Sequence, residues 1–415
     1  MSDRDCRSEV REVFLNAGAL APFTEAFRAF LAARGHTALV VSDYIRSARH
    51  FGHWLSLEGI ARENVDDDVV KRFATHRCRC PGGRRCRRVS RRYAARVRRF
   101  VRFLQDRDDL PRTAVAGEIG MPPRLVSFHN HLLNERGLAP STAARHLRHV
   151  AALLPTLGDE PQSYNAGTVR QVALDAAQVS SRAEAKTVVT ALRVYLCFLA
   201  TRGECRPGLD HAVPTVPQWR LSALPRYLPP ADVERVIASC DTRTLPGLRD
   251  RAILLLLARL GLRAGDALGL RLDDLDWAEA SLRVRGKGRR DVRLPLPQDA
   301  GDALLAYLER RRSGGPEPRV FLRSFAPYRP LADSTCISTV VRRALGRAGI
   351  ISPPSRGANL LRHSAATTLL RDGATLDAIS ALLRHRSLDT TAHYAKVDLP
   401  MLRRVVQPWP EHTPC

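Results

Sequence analysis

Two spacings of apolar residues run along this chain, one helical and one alternating. From Phe23 to Leu57, FTEAFRAFLAARG and then a second periodic segment carrying Tyr44, Phe51 and Trp54 read as helix, turn, helix. Leu125 to Leu157 repeats the layout, with LNERG standing where LAARG stood and Ser141-Thr142 opening the next helix. Each copy continues into a short helix, Asp67 to Thr75 and Gly167 to Ala176. Each closes on a helix with paired aromatics, Phe100 and Phe103 in one and Tyr195 and Phe198 in the other. Gly35 and Gly137 are 102 residues apart, whereas Phe100 and Tyr195 are 95 apart, and the difference matches extra loop around CRCPGGRRCRR in the first copy. The repeat predicts two small all-helical domains, over 21–115 (with a Cys/Arg-rich loop at 76–90) and 121–207, each with a basic face.

Pro214, Pro217, Pro225, Pro229 and Pro230 then mark a linker over 208–228. The pattern changes in the third domain, 229–408. Asp232 to Cys240 is a short helix, and Gly247 to Leu260 is a buried one with Gly261 as its C-cap. Ser281 to Gly286 and Asp291 to Leu296 alternate apolar and basic residues, which predicts a β-hairpin with Gly286-Lys287-Gly288 at its tip. Leu360 to Arg371 ends at Gly373, Leu376 to Arg384 ends at the turn of His385, and Ser387 caps a helix carrying Tyr394. Leu399 to Val406 is amphipathic and stops at Pro408, so its apolar side needs a surface to cover. Residues 1–20 and 409–415 read as tails. The expected fold class is mainly α with a small β-sheet.

Composition narrows the partner. The chain has 415 residues, 44% of them hydrophobic, so it buries a sizeable core. Its formal net charge is +24, which calls for a polyanion, and nucleic acid is the usual one. Codon bias explains why nearly all the basic residues are Arg, but not the excess of positive charge. The only lysines are Lys71, Lys186, Lys287 and Lys396. The first ten residues are charged and hold no apolar run, and the longest such run, Ala252 to Ala258, is too short to span a bilayer. The expectation is a cytoplasmic protein with no membrane partner. Nine scattered cysteines do not suggest a disulfide framework. His76, Cys78, Cys80 and Cys86 lack a clear four-ligand zinc spacing, so the expectation is an Arg-rich loop on DNA phosphate and no metal site.

The chemistry concentrates near the C-terminus: Asn359, Arg362 and His363, then Arg384 and His385, then Tyr394. Arginine forks phosphate oxygens, histidine moves protons, and a tyrosine phenol can attack phosphorus. On a very basic chain this mixture points to breaking and rejoining of DNA. Lys287 stands at a hairpin tip among Arg283, Arg285, Arg289, Arg290 and Arg293. A Lys kept in so Arg-rich a setting reads either as chance or a tip residue on the DNA backbone, or as a position that must donate a proton, which Arg cannot do.

Residues 225–408 resemble the catalytic domain of the tyrosine recombinases, the phage integrase family. The matching segments are Gly261-Leu262-Arg263-Ala264-Gly265-Asp266, Gly286-Lys287-Gly288, Leu361-Arg362-His363, Leu382-Leu383-Arg384-His385 and Thr390-Thr391-Ala392-His393-Tyr394. Each is weak alone, but their order and context are specific. The repeat region resembles the helical SAM-like DNA-binding domains that precede this catalytic domain. The resemblance implies that Arg263 and Arg362 clamp the scissile phosphate, Lys287 protonates the departing 5′ oxygen, and Tyr394 is the nucleophile that forms a 3′-phosphotyrosyl enzyme. His385 would bind the phosphate or shuttle protons. Asp266, where the family more often has Glu, and His363 would be supporting residues, and Arg285, Arg289, Arg290 and Arg384 would contact DNA. No cofactor is implied, because the phosphotyrosine conserves the ester energy. The implied partners are double-stranded recombination sites, further copies in a tetramer joined through 399–408, and other recombinases.

Two positions depart from the family pattern. Asn359 stands where His is usual, and an amide cannot transfer a proton; the base role then passes to His385, water or the phosphate. Arg384 stands where Gly is common. The expected function is site-specific recombination, with a mobile element as the setting. A type IB-like topoisomerase and a catalytically weakened DNA-binding relative stand as alternatives.

Overall fold

Helices carry most of the chain, and they begin and end close to where the apolar spacing places them. The computed structural model describes residues 18–76, 91–110, 121–217, 224–285, 291–312, 317–385, 387–397, 402, 403 and 406. Two compact units emerge, one drawn from residues 1–62, 72–104 and 221–415, the other from 63–71 and 105–220.

The N-terminal helices are α1 (Phe23–Ala33), α2 (Ala38–Leu57), α3 (Asp67–Thr75) and α4 (Arg91–Gln105). In α4, Ala94, Val97, Phe100, Val101 and Leu104 recur every three or four positions and are buried, while Arg92, Arg98 and Arg102 are exposed. Phe27 of α1 is fully buried, with its ring centroid 4.9 Å from that of Phe100 and 5.1 Å from that of Phe103. Such a side chain contributes roughly 1.5–3 kcal/mol by leaving water.

The second unit is built on α5 (Pro123–Asn130), a π-helical turn over His131–Glu135, α6 (Pro140–Leu157), α7 (Ala166–Gln178) and α8 (Arg182–Thr201). Its core repeats the same three-ring arrangement. Phe128 lies 5.1 Å from Tyr195 and 5.3 Å from Phe198. Gly35 and Gly137, the turn glycines of the repeat, both have positive φ, 78° and 59°. Leu209 and Val213, within the proline-rich stretch, are buried against this core. Arg145 and Arg148 are exposed on α6.

The remainder of the first unit contains α9 (Pro230–Ala238), α10 (Leu245–Arg259), α11 (Ala264–Gly269), α12 (Gln298–Arg310), α13 (Ser334–Arg347), α14 (Asn359–Arg371), α15 (Leu376–Leu383) and α16 (Leu388–Ala395). Helix α10 runs through the core. Ala252 through Ala258 are all buried, the signature of a helix covered on every side. Strands β1 (Leu275–Asp276), β2 (Ser281–Arg285) and β3 (Asp291–Pro295) form an antiparallel sheet in the order β1-β2-β3. The register pairs Leu282 with Leu294 and Val284 with Val292, which puts Leu282, Val284 and Leu294 in the core and leaves Arg283 and Arg293 on the other face. The two-residue β1 was not expected, because two residues are too short to display an alternation. Among the described residues, no helix is long and apolar enough to cross a membrane.

Candidate active site

Four segments meet at the C-terminal end of α10. Gly261 closes that helix with φ +56°, and a Cβ there would collide with the side chain of Leu383. Arg362, on the first turns of α14, is 5% exposed, and its guanidinium donates to the carbonyls of Gly261 and Leu383. One side chain thus fastens α14 to the end of α10 and the end of α15. Ser364, two residues on, accepts the backbone N–H of Leu228 at 2.8 Å, which ties α14 to the segment entering this part of the unit. Burial, and then the like charge of Arg263, pull the Arg362 guanidinium down to about 10, so it stays charged at neutral pH.

Arg263 begins α11, and its backbone N–H donates to Asp266 at 2.9 Å in the manner of a helix cap. Its Nη2 donates to the carbonyl of Arg384 at 3.1 Å. Arg384 terminates α15 in the left-handed conformation, φ 54° and ψ 50°. Its side chain, expected on DNA, turns inward instead: Nη2 meets Asp266 Oδ2 at 2.7 Å, with the two side chains only 8% and 11% exposed. Asp266, expected to orient the site, therefore holds both the start of α11 and the Arg384 guanidinium.

Tyr394 is 2% exposed on α16. Ser387 caps that helix, its hydroxyl accepting the Asp389 N–H at 3.2 Å. The phenol is hydrogen-bonded to His363 Nδ1 at 2.8 Å. The His385 ring lies nearly parallel to that of Tyr394, 6.3 Å away at 6°, with its Nδ1 on the Thr391 hydroxyl at 2.8 Å. Burial, followed by the charges of Arg362 and Arg263, lowers His385 to about 4. Burial, Arg362 and His393 lower His363 as well. Burial raises the Tyr394 phenol, and the two arginines pull it back. At neutral pH the cluster is two guanidinium charges beside neutral imidazoles and a neutral phenol, an arrangement that favours an anion.

Of the residues singled out in the sequence, Arg263, Arg362, His363, Arg384, His385, Asp266 and Tyr394 come together here. Asn359 is the exposed first residue of α14. Arg285 lies at the end of β2 and pairs with the buried carboxylate of Asp274 at 3.0 Å. Lys287, Arg289 and Arg290 lie outside the described residues, as do Cys78, Cys80 and Cys86 and most of 399–408. Thr391 and the carbonyls of Gly261 and Leu383 were not anticipated. For Thr391 the available signal was its position three residues before Tyr394, on the same helix face.

This helical architecture, with its small antiparallel sheet and a C-terminal Arg–His–Tyr cluster, is that of enzymes that break and rejoin DNA through a tyrosine. Residues 226–399 match the phage integrase family. The chain is 35% identical to a putative integrase/recombinase, y4rA, of Sinorhizobium fredii over 95% of each chain. It is 32% identical to the tyrosine recombinase XerC of Pelobacter propionicus over 68% of this chain and 93% of that one. Among solved structures, a lambda integrase tetramer bound to a Holliday junction shares the fold, with TM-score 0.52, 16% identity, and coverage of 74% of this chain and 87% of that one. The chain belongs to the phage integrase family of tyrosine recombinases, site-specific DNA strand-breaking and rejoining enzymes. The left-handed backbone at Arg384 gives a physical reason for the glycine common at that point of the family pattern.

Proposed function

We propose that this recombinase cuts and rejoins double-stranded DNA at the ends or target of a mobile element, with Tyr394 attacking a phosphate held by Arg263 and Arg362 of the same subunit. The observation that carries the reading is the gathering of both guanidiniums, His385 and a buried Tyr394 in one cluster. The Tyr394 oxygen bonds to phosphorus and its proton leaves to a base. The P–O5′ bond breaks, and the 5′ oxygen takes a proton from Lys287. A 3′-phosphotyrosine and a 5′-hydroxyl result, and attack by another strand's 5′-hydroxyl reverses the step. The two arginines stabilise the added negative charge of the pentavalent transition state. His385, its Nδ1 held by Thr391, presents its other nitrogen for a phosphate oxygen.

The two helical repeats over 21–115 and 121–207 are read as DNA-gripping domains, supported by the exposed arginines of α4 and α6. Arg285, Arg289 and Arg290 are read as hairpin contacts to the DNA backbone. Segment 399–408 is read as the link to the next copy in a tetramer. The solved likeness with lambda integrase, itself a tetramer on a junction, supports that assembly. Incubation of the full chain with a nicked duplex, selected by that chain from a random pool, tests the reading. It should trap a covalent adduct that Tyr394→Phe abolishes while binding persists. An undiminished adduct in Tyr394→Phe overturns the nucleophile assignment.

A further inference from the structure

The family pattern places a proton carrier three residues before Arg362, and this chain has Asn359 there. The amide is exposed and can hydrogen-bond a phosphate or phenol but cannot take a proton. A phenol with an ordinary pKa of about 10 still needs a base near neutral pH. Three histidines surround the Tyr394 ring, with centroids at 5.6 Å for His363, 6.3 Å for His385 and 6.1 Å for His393. His385 lies almost parallel to the tyrosine, and its Nδ1 is engaged by Thr391. Among the described residues, the Nδ1 of His393 is buried without a hydrogen-bond partner. Of these three histidines, it is His363 whose nitrogen lies on the phenol oxygen, at 2.8 Å.

We propose that His363 is the catalytic base for Tyr394 in this chain, taking over the role that Asn359 cannot perform; this rests on the assignment of Tyr394 as nucleophile. With the phenol donating, Nδ1 of His363 carries the lone pair and Nε2 the proton. As the tyrosine oxygen closes on phosphorus, the O–H bond breaks and an N–H bond forms on Nδ1. The imidazolium returns that proton to the departing tyrosine oxygen when a 5′-hydroxyl attacks the phosphotyrosine. The charged and titratable groups around His363 are Arg362 on its own helix, His393 and Tyr394 on α16, and His385 on the preceding turn. Burial, and then the charges of Arg362 and His393, lower its pKa, so the ring is neutral, and so able to accept, at neutral pH.

The test measures cleavage of the selected nicked duplex by full-length variants under single-turnover conditions. His363→Gln keeps an amide that can hold the phenol but takes no proton. It should slow cleavage roughly a hundredfold or more with DNA affinity unchanged. His363→Asn should behave alike, and adding Asn359→His to either should restore at least tenfold. The wild-type rate should fall at acid pH as His363 is protonated, and that limb should be absent from His363→Gln. A bridging 5′-sulfur at the scissile position, whose leaving thiolate needs no proton, should rescue Lys287→Ala but not His363→Gln. Cleavage by His363→Gln within threefold of wild type, or its rescue by the 5′-sulfur, overturns the proposal. Adduct formation by Tyr394→Phe would instead overturn the nucleophile assignment, whatever His363 does.

Discussion

Arg384 and Asp266, 118 residues apart, form a buried ion pair at 2.7 Å, and Arg384 makes it from a left-handed backbone. A non-glycine residue in that conformation costs about 1–2 kcal/mol. The ion pair anchors the side chain there, and the Arg384 carbonyl receives the Arg263 guanidinium. A position where glycine would serve for conformation alone has thus become a support for the proposed clamp residue Arg263.

Removing one member of this pair should be worse than removing both. Asp266→Ala leaves the Arg384 charge buried and uncapped and should destabilise by roughly 3 kcal/mol. Asp266→Ala combined with Arg384→Gly removes the orphaned charge and the strain, and should recover at least about 1 kcal/mol relative to the sum of the single changes. Urea unfolding of the four proteins in the cycle measures the coupling, and additive values would show that the pair is not coupled.

Gly261→Ala should destabilise by about 2 kcal/mol, because the left-handed backbone disfavours Ala and the new methyl meets Leu383. The Arg362 contacts to the Gly261 and Leu383 carbonyls would shift with it, so cleavage should fall together with stability. Leu383→Ala on the same background should relieve the collision but not the backbone strain. Thermal melting and adduct yield, read side by side, separate the two contributions.

Arg362→Lys keeps a positive charge and loses the fork. A single ammonium on a shorter reach cannot hold both carbonyls and a phosphate in the same plane. Cleavage of the nicked duplex should fall a hundredfold or more, with a smaller change in DNA affinity. Near-normal cleavage would show that the charge at 362 suffices without its geometry.

Acid should weaken the fold before it titrates the carboxylates. His50, lowered to about 4 by burial and then by His76 and His53, and His385, lowered to about 4 by burial, Arg362 and Arg263, both favour the neutral ring when folded. The unfolded chain binds these protons at a pKa of about 6.5. The stabilisation is therefore complete above that value and is lost as pH falls toward 4. Urea midpoints taken from neutral pH downward should drop across this window, and His385→Asn should flatten part of the drop. A midpoint constant from neutral pH to pH 4 would contradict the assignment.

DNA binding should reverse part of that shift. Burial is the larger cause of the low His385 pKa, but a phosphate between Arg263 and Arg362 offsets the arginine charges that add to it, so its pKa should rise on binding. Calorimetry in buffers of different ionisation heat should then register proton uptake on binding at mildly acid pH, above the free-state value of about 4. Affinity should fall steeply with salt as arginine–phosphate contacts release counterions. A salt-insensitive affinity would exclude the basic faces as the main grip.

Much of this molecule was legible along the chain because the rules involved are local. Helix α10 was visible as an apolar run stopped by Gly261, and α16 as a Ser-capped segment. The β2–β3 hairpin showed as an alternation of apolar and basic positions. A cap hydrogen bond, a helical stripe or a strand alternation is decided by residues only a few positions apart.

Which side chains become partners was not legible, because no local rule reaches that far. Arg362 finds the Gly261 carbonyl across 101 residues, Arg384 finds Asp266 across 118, and His363 finds the Tyr394 phenol across 31. Sequence alone marked Arg384 as a contact for DNA and His363 as a supporting residue. The packing of α14, α15 and α16 on the end of α10 turned the first inward onto a carboxylate and set the second against the phenol. The residue types were written in the chain, but their pairing depends on the directions in which packed helices aim their side chains, and only the folded core decides those.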